Sequence, residues 1–315
     1  MIKVFALQPE VLLEGSVIQR LEQFGFDQGR IIGRVPEGWR RLIGDAFKNA
    51  DPSIKKQLEL QLFRLHNARA LQPLPKNDAN SSWISSATNV SSEYLHGIIV
   101  KDRGGLSDER ILDLSDHFGE SEVWNVTTNV LSGRDVRSMA SQVSGLMRYA
   151  YVIKFVDHYL SSERRHIDFI EQSLKYRSNS PLRAKLNVEF HFGWKRRRPG
   201  DDYATLQLQS RSFFDSLVQS TRLALSDLLR QNDEVTWCQW TEKEDQDHQR
   251  FHERYVLTDL GGVEFGGGLD TGNPSQHTSV NLLSKSTVDT LNKRFTKTGI
   301  EFELLHSDEF KKAES

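Results

Sequence analysis

A mixed α/β architecture in two parts follows from three features of this 315-residue sequence. From Val136 onward, helical and strand patterns alternate and then give way to a strand pair, the order expected of helices packed on a mixed sheet. Ahead of that, residues 1–125 interleave shorter strand and helix patterns, which predicts a smaller mixed α/β domain followed by a larger one over 126–315. The length suits two modest domains or one large one, and no internal repeat is visible.

In chain order, Ile2 to Leu7 reads as a strand and Gly29 to Val35 as another, with a loosely helical stretch from Val11 to Phe24 between them. Pro36-Glu37-Gly38 opens a helix carrying Trp39, Leu42, Ile43, Ala46 and Phe47 on one side. Asp51-Pro52-Ser53 is a helix start, with an aspartate cap and proline at the first helical position, and Ile54, Leu58, Leu62 and Leu65 follow at helical spacing. From Gln72 to Ser92 the composition turns to Pro, Asn, Ser and Ala, which predicts a long loop. Tyr94 to Val100 reads as a strand broken by Gly104-Gly105, and Glu122 to Val130 as a further one.

In the second part, Val136, Met139, Ala140, Val143, Leu146 and Met147 mark a helix, followed by the β-rich run Tyr151 to Val156. Ser161 or Ser162 caps the next helix, in which Ile167, Ile170 and Leu174 share a face. Leu186 to Phe192 alternates as a strand. Phe214, Leu217, Val218, Leu225 and Leu228 define a long helix, and Val235 to Trp240 a strand. Ser284 or Ser286 caps a last helix through Val288, Leu291 and Phe295. Ligand sites in such folds gather at strand ends, where His252 and the loop after Phe192 can meet.

A formal charge of -2 excludes a polyanion binder that uses its whole surface, so contacts with nucleic acid or lipid must come from local patches. Lys195, Arg196, Arg197 and Arg198, beside Trp194, form the clearest one: cations for phosphates and a ring for a base, or equally a solvated loop. Arg30, Arg34, Arg40 and Arg41 around Trp39 form a looser cluster. The single cysteine, Cys238, permits neither an internal disulfide nor a cysteine-based zinc site and reads as a small core residue. With no long apolar run, the chain reads as a soluble cytoplasmic protein, and the lack of an amphipathic anchor rich in Lys and Trp argues against a membrane partner.

The densest chemistry lies between Phe251 and Asp270. Phe251, Tyr255 and Leu257 alternate with polar or small residues, Asp259-Leu260-Gly261-Gly262 supplies a turn, and Val263 to Phe265 begins a return strand. On an extended chain His252 and Arg254 leave the same face, so an imidazole and a guanidinium converge on one spot. Gly266, Gly267 and Gly268 suit either close approach of a phosphate or a tight bend. His248 precedes His252 by a helical turn, with Asp245 and Asp247 nearby, but a strand at His252 sets the two histidines on different faces, and no metal site is expected.

Between His252-x-Arg254 and Asp259 lie four residues, and between Asp259 and Gly266 six. This spacing resembles the HKD motif of the phospholipase D superfamily, with Arg254 where the family has lysine and Gly267 where it often has serine. Together with the trailing Gly-Leu-Asp, it is most similar to the phospholipase D-like domain at the C-terminus of MIT-domain proteins and its bacterial relatives. In the eukaryotic branch that domain is a binder of membrane phosphoinositides. The resemblance is specific over 251–270, compatible with 126–315, and silent on 1–125.

It implies a phospholipase D-like fold, a mixed sheet flanked by helices, and a phosphohistidine mechanism without metal or cofactor. His252 would be nucleophile or acid, Arg254 the phosphate clamp and Asp259 the residue orienting the hairpin. Gly266, Gly267 and Gly268 would bind phosphate, supported by Asp157 at the first strand's end and Asp270 bracing the glycine turn. The family's site needs two motifs and this chain has one, since neither His158, His166 nor His191 opens a second, so the implied assembly is a homodimer pairing two His252. The leading expectation is a phosphodiesterase or nuclease acting on nucleic-acid phosphodiesters, in a prokaryotic defence or mobile-element setting, with residues 1–125 recognising a protein partner. The alternative, favoured by Arg254 and the single motif, is a non-catalytic phosphate or nucleic-acid binder that recruits a partner enzyme.

Overall fold

A computed structural model describes residues 1–75, 82–115, 120–182, 184–194, 202–243, 251–252, 254–298 and 301–313. Packing divides the chain into two compact units, Met1–Thr128 and Asn129–Ser315. Both are mixed α/β with helices against sheets, as the sequence predicts.

The described residues of the first unit form a five-stranded parallel sheet. Its strands are β1 (Lys3–Leu7), β2 (Arg30–Arg34), β3 (Leu71–Pro73), β4 (Gly97–Val100) and β5 (Ile111–Asp113), in the order β3-β2-β1-β4-β5. Strands β1 and β4 are apolar and buried on both faces, as parallel strands covered by helices are. Helices α1 (Gly15–Arg20), α2 (Trp39–Ala46), α3 (Pro52–Asn67) and α4 (Trp83–Thr88) accompany them. The Asp51 carboxylate caps α3 by accepting the Ser53 N–H at 2.7 Å, with Pro52 at its first position. Trp39 is core: its indole N–H donates to the Leu7 carbonyl at 2.8 Å. Of the arginines around Trp39, Arg30 lies over the Trp124 ring and Arg40 lies 3.3 Å from the His66 ring nitrogen.

Two expectations are corrected here. The 72–92 stretch contains α4, capped by the Ser82 hydroxyl, because a short serine-capped turn carries no long apolar periodicity. Residues 122–128 form no strand; Trp124 instead packs on Phe5 and Phe24 at 5.3 and 5.6 Å.

The described residues of the second unit form an eight-stranded mixed sheet, in the order β13-β9-β8-β7-β10-β11-β12-β6. The chain runs β6 (Asn129–Gly133), α5 (Val136–Tyr149), β7 (Val152–Asp157), α6 (Arg164–Ser178), β8 (Asn187–Gly193), α7 (Tyr203–Leu225) and β9 (Glu234–Glu242). It continues with β10 (Arg254–Thr258), β11 (Gly262–Phe265), β12 (His277–Leu282), α8 (Lys285–Arg294) and β13 (Phe302–Lys311). Strands β7, β8 and β9 are parallel and the remaining pairings antiparallel.

Register lines up Phe155, Phe190 and Trp237 across the three parallel strands, stacked at 5.5 and 6.0 Å. Such pairs add about 0.5–1.5 kcal/mol each beyond their burial. On this face Phe169 of α6 meets Phe155 edge-on, and Phe214 of α7 stacks on Phe192. The other face carries Val156, Cys238, Trp240 and Leu257 against Leu291 and Phe295, with Phe251 and Phe302.

Neither Ser161 nor Ser162 caps α6. Its N-cap is Glu163, without a side-chain bond, and the Ser161 hydroxyl lies 3.1 Å from His166 Nδ1. Ser284 caps α8. Strands β12, paired on both sides, and β13, at one edge of the sheet, are unassigned from the sequence; both are half-exposed and rich in polar residues. No helix among the described residues is long and apolar enough to cross a membrane.

Candidate functional site

The parallel strands β7, β8 and β9 end at Asp157, Gly193 and Glu242, and antiparallel pairing brings Arg254, the first residue of β10, opposite Asp157. The ends of β7, β8 and β9 and the start of β10 therefore share one edge, the carboxyl edge where open α/β sheets bind ligands. Phe251 is 1 % exposed and packed on Phe295 and Phe302. That anchor holds the chain just before β10 and leaves the next residue, His252, exposed.

His252 and Arg254 both lie near the Tyr159 ring. The His252 ring lies 6.5 Å from that of Tyr159, and the Arg254 guanidinium carbon 5.7 Å from its centre. Cation–π attraction holds the guanidinium there, and its Nη1 donates to the Gly266 carbonyl at 3.2 Å.

The same edge supplies a second histidine from the same chain. The His158 ring lies 5.8 Å from that of His252 and 4.7 Å from Tyr159. Its carbonyl accepts the Gly193 N–H at 3.1 Å, and its ring sits where any side chain at position 193 would go. Burial, reinforced by the neighbouring His252, holds the His158 pKa below the ordinary histidine value against the pull of Glu242 and Asp157. The neutral imidazole is thus the favoured form. Both rings are close enough for one phosphate group to touch both, beside a guanidinium that stays charged at any working pH. The sequence signal for His158 was its position directly after a buried apolar strand; no motif spacing marks it.

Asp157 and Asp270 brace the site. The Asp157 carboxylate, 1 % exposed, accepts the Tyr159 and Leu269 N–H groups at 2.9 and 2.8 Å, tying the loop after β7 to the loop after β11. Burial raises its pKa, opposed by these N–H groups and by the nearby His166 and Arg254. Asp270 pairs with Arg134 at 2.6 Å and Arg165 at 3.3 Å.

One site assignment is narrowed, since Asp259 keeps the hairpin-orienting role but not a place in the chemistry, and one is corrected. Asp259 sits at the opposite end of β10, about 16 Å from Arg254 at the rise of a strand. Its carboxylate accepts the Tyr151 and Val152 N–H groups at 2.9 and 3.2 Å, which anchors the hairpin to the start of β7 and gives it no part in chemistry at His252. Gly266, Gly267 and Gly268 are also not a phosphate cradle. Their N–H groups are spent on the Ser279 carbonyl, the Thr278 hydroxyl and the Phe265 carbonyl, so the run is a tight bend, with Gly268 at φ +103°. His277, level with Gly133 on the same edge, lies two strands from β10 and three residues beyond the level of Arg254. Asp289 pairs with Lys285 on α8.

Trp194 leaves β8 with its N–H on the Trp240 carbonyl and its ring 5.5 Å from Phe213. Lys195, Arg196, Arg197 and Arg198 lie outside the described residues, as do Asp245, Asp247 and His248. Among the described residues no cluster of His, Cys, Asp and Glu is arranged to hold a metal ion.

No protein family and no curated protein matches this chain. Among solved structures, one described as "TrmBL2, an archaeal chromatin protein" with "a novel mode of DNA binding" is similar over 56% of this chain, at 10% identity and a TM-score of 0.25. The match spans about half of that chain, 53%. A likeness at that level carries no argument about function.

Proposed function

We propose that the second unit is a phospholipase D-like phosphodiesterase module acting on nucleic-acid phosphodiesters, with both histidines of the reaction supplied by one chain. The observation that supports this is the convergence of His158, His252 and Arg254 on Tyr159 at the carboxyl edge of the sheet. The Trp194 ring and the basic run that follows it in the sequence favour a nucleic-acid substrate.

In this reading Arg254 holds the non-bridging oxygens and offsets the charge that builds up on them. His158, kept neutral by burial, attacks phosphorus. His252, as imidazolium, gives its proton to the leaving oxygen as the P–O bond breaks. Water then attacks the phosphohistidine while His252 takes its proton, releasing a phosphomonoester and restoring His158. Arg254 and the imidazoles carry the charge and the protons, so the scheme requires neither a metal nor a two-fold dimer.

The test is hydrolysis of a chromogenic diester and of single- and double-stranded DNA and RNA in EDTA, with His158→Ala and His252→Ala alongside. Loss of about 10²–10⁴ in rate in each variant, from a protein monomeric by light scattering, is expected. Cleavage that survives either substitution refutes the scheme. A second reading has its own support: Arg254 is already bonded to Gly266 and stacked on Tyr159, a geometry suited to clamping a phosphate without turning it over. Nucleic-acid binding that Arg254→Ala abolishes, with no cleavage by the wild type, selects that reading.

A further inference from the structure

A groove of about 300 Å³ opens between α7 and the strands β9 and β13. That volume is at the lower end of the range of about 300–1,000 Å³ for small-molecule sites. Two aromatic rings, Trp194 and Tyr203, line it together with Thr241, Glu242, Glu303 and His306. Tyr203 is 54% exposed, so its ring is open to a ligand.

The groove and the site already described share Glu242. Glu242 accepts the Phe251 N–H at 3.2 Å, immediately before His252, and its charge acts on His158. Trp194 directly follows Gly193, whose N–H is bonded to the His158 carbonyl. A ligand with its phosphate between His158, His252 and Arg254 can therefore reach the groove with its neighbouring group.

The lining selects what that group is. Leu206 and Leu305 also line the groove, but the two carboxylates repel a second phosphate and are poor neighbours for an acyl chain. His306, which burial and then the nearby Arg211 keep below its ordinary pKa, adds little positive charge. Planar rings with carboxylate acceptors instead match a flat, polarisable group that carries N–H donors. Carboxylates accept from the exocyclic amine of a base such as cytosine, and aromatic side chains stack on any base.

We infer that this groove is a nucleobase subsite, with Trp194 and Tyr203 stacking on the base and Glu303 and Glu242 accepting from its exocyclic amine. It selects adenine and cytosine over thymine, which presents a carbonyl oxygen where those bases present an amino group. The inference rests on the phosphate site proposed above.

The test is equilibrium binding to the full-length protein by calorimetry, which needs no turnover. Probes are 5′-AMP, 5′-CMP, 5′-TMP, ribose 5-phosphate and adenosine, and the variants are Tyr203→Ala, Glu303→Gln and Arg254→Ala. Tyr203 and Glu303 are exposed, so both substitutions leave the core intact. AMP and CMP are expected to bind about tenfold tighter than TMP or ribose 5-phosphate. Glu303→Gln should erase most of the AMP-to-TMP ratio, and Tyr203→Ala should weaken all nucleotides about tenfold. Ribose 5-phosphate binding as tightly as AMP, nucleotide affinities unmoved by both groove variants, or no nucleotide binding at all overturns the subsite. Adenosine binding as tightly as AMP, with Arg254→Ala without effect, upholds the groove and refutes the phosphate site beside it.

Discussion

Replacing Gly193 by alanine tests the placement of His158 without touching either histidine. A Cβ at position 193 would lie 2.0 Å from His158 Nδ1 and 2.5 Å from its Cε1. Carbon contacts settle at about 3.5–4.0 Å, so the ring must move by about 1.5 Å or swing out of its slot. Gly193 has no positive φ, so alanine adds no backbone strain, and the change acts through this contact alone. Overpacking costs about 1–3 kcal/mol, and a ring that can rotate places the cost at the low end. Released from burial and from His252, His158 should titrate nearer the ordinary value of about 6.5. The assay is NMR titration of the histidine side chains, with His158→Gln for assignment, and urea denaturation alongside. In the wild type His158 is expected to titrate below the ordinary value; in Gly193→Ala it moves up toward that value, and diester cleavage falls by about 10²-fold or more. An unchanged His158 titration in the variant would show that the ring does not occupy the slot, and the two-histidine geometry would fall with it.

Asp259→Ala should lower stability by about 0.5–1.5 kcal/mol in urea denaturation, by leaving the Tyr151 and Val152 N–H groups to solvent. It should leave phosphate binding at Arg254 unchanged, because it acts at the far end of β10. Burial lowers the pKa of His191, opposed by its bond to Glu189 at 2.9 Å and assisted by the neighbouring Lys154; Trp240 and Phe295 enclose the ring. Its folded pKa is therefore below the unfolded value, and below about pH 6.5 the unfolded chain binds a proton that the folded one does not. Stability present above that pH should be lost as pH falls toward 5, and His191→Phe should flatten the decline in a series of denaturation curves. Cys238, 1% exposed, has its thiol pushed up to about 12 chiefly by burial, so a thiol reagent at pH 8 should label it only after denaturant is added. Stoichiometric labelling of the native protein would contradict that placement.

Local chemistry made much of the site legible in the sequence. The hairpin register pairs Tyr255 with Glu264 and Leu257 with Gly262, close to the turn that Asp259-Leu260-Gly261-Gly262 predicts. The two-residue spacing predicts His252 and Arg254 on one face, and in the structure both lie near the Tyr159 ring, though the strand begins only at Arg254. The caps at Asp51 and Ser284 were readable because a side chain bonding to a backbone N–H two or three residues on needs nothing from the rest of the chain. Phe251 was read as a strand residue, but what matters is its burial against Phe295 and Phe302, contacts that local periodicity does not contain.

What the sequence by itself determined, then, is a mixed α/β chain with an imidazole and a guanidinium side by side at the head of a hairpin. The tertiary structure decided their surroundings. Antiparallel pairing of β10 with β7 sets Arg254 opposite Asp157, and this register brings His158 beside His252 across a long stretch of sequence. The same pairing carries Asp259 to the far edge, and pairing of β11 with β12 gives the glycine run its acceptors at Thr278 and Ser279. Strand register over such separations is selected by burial of whole faces, among them the Phe155-Phe190-Trp237 row, and not by any residue of the site. Motif spacing measures distance along the chain, so it could report one histidine; the sheet, which sets distance across the chain, supplied the second.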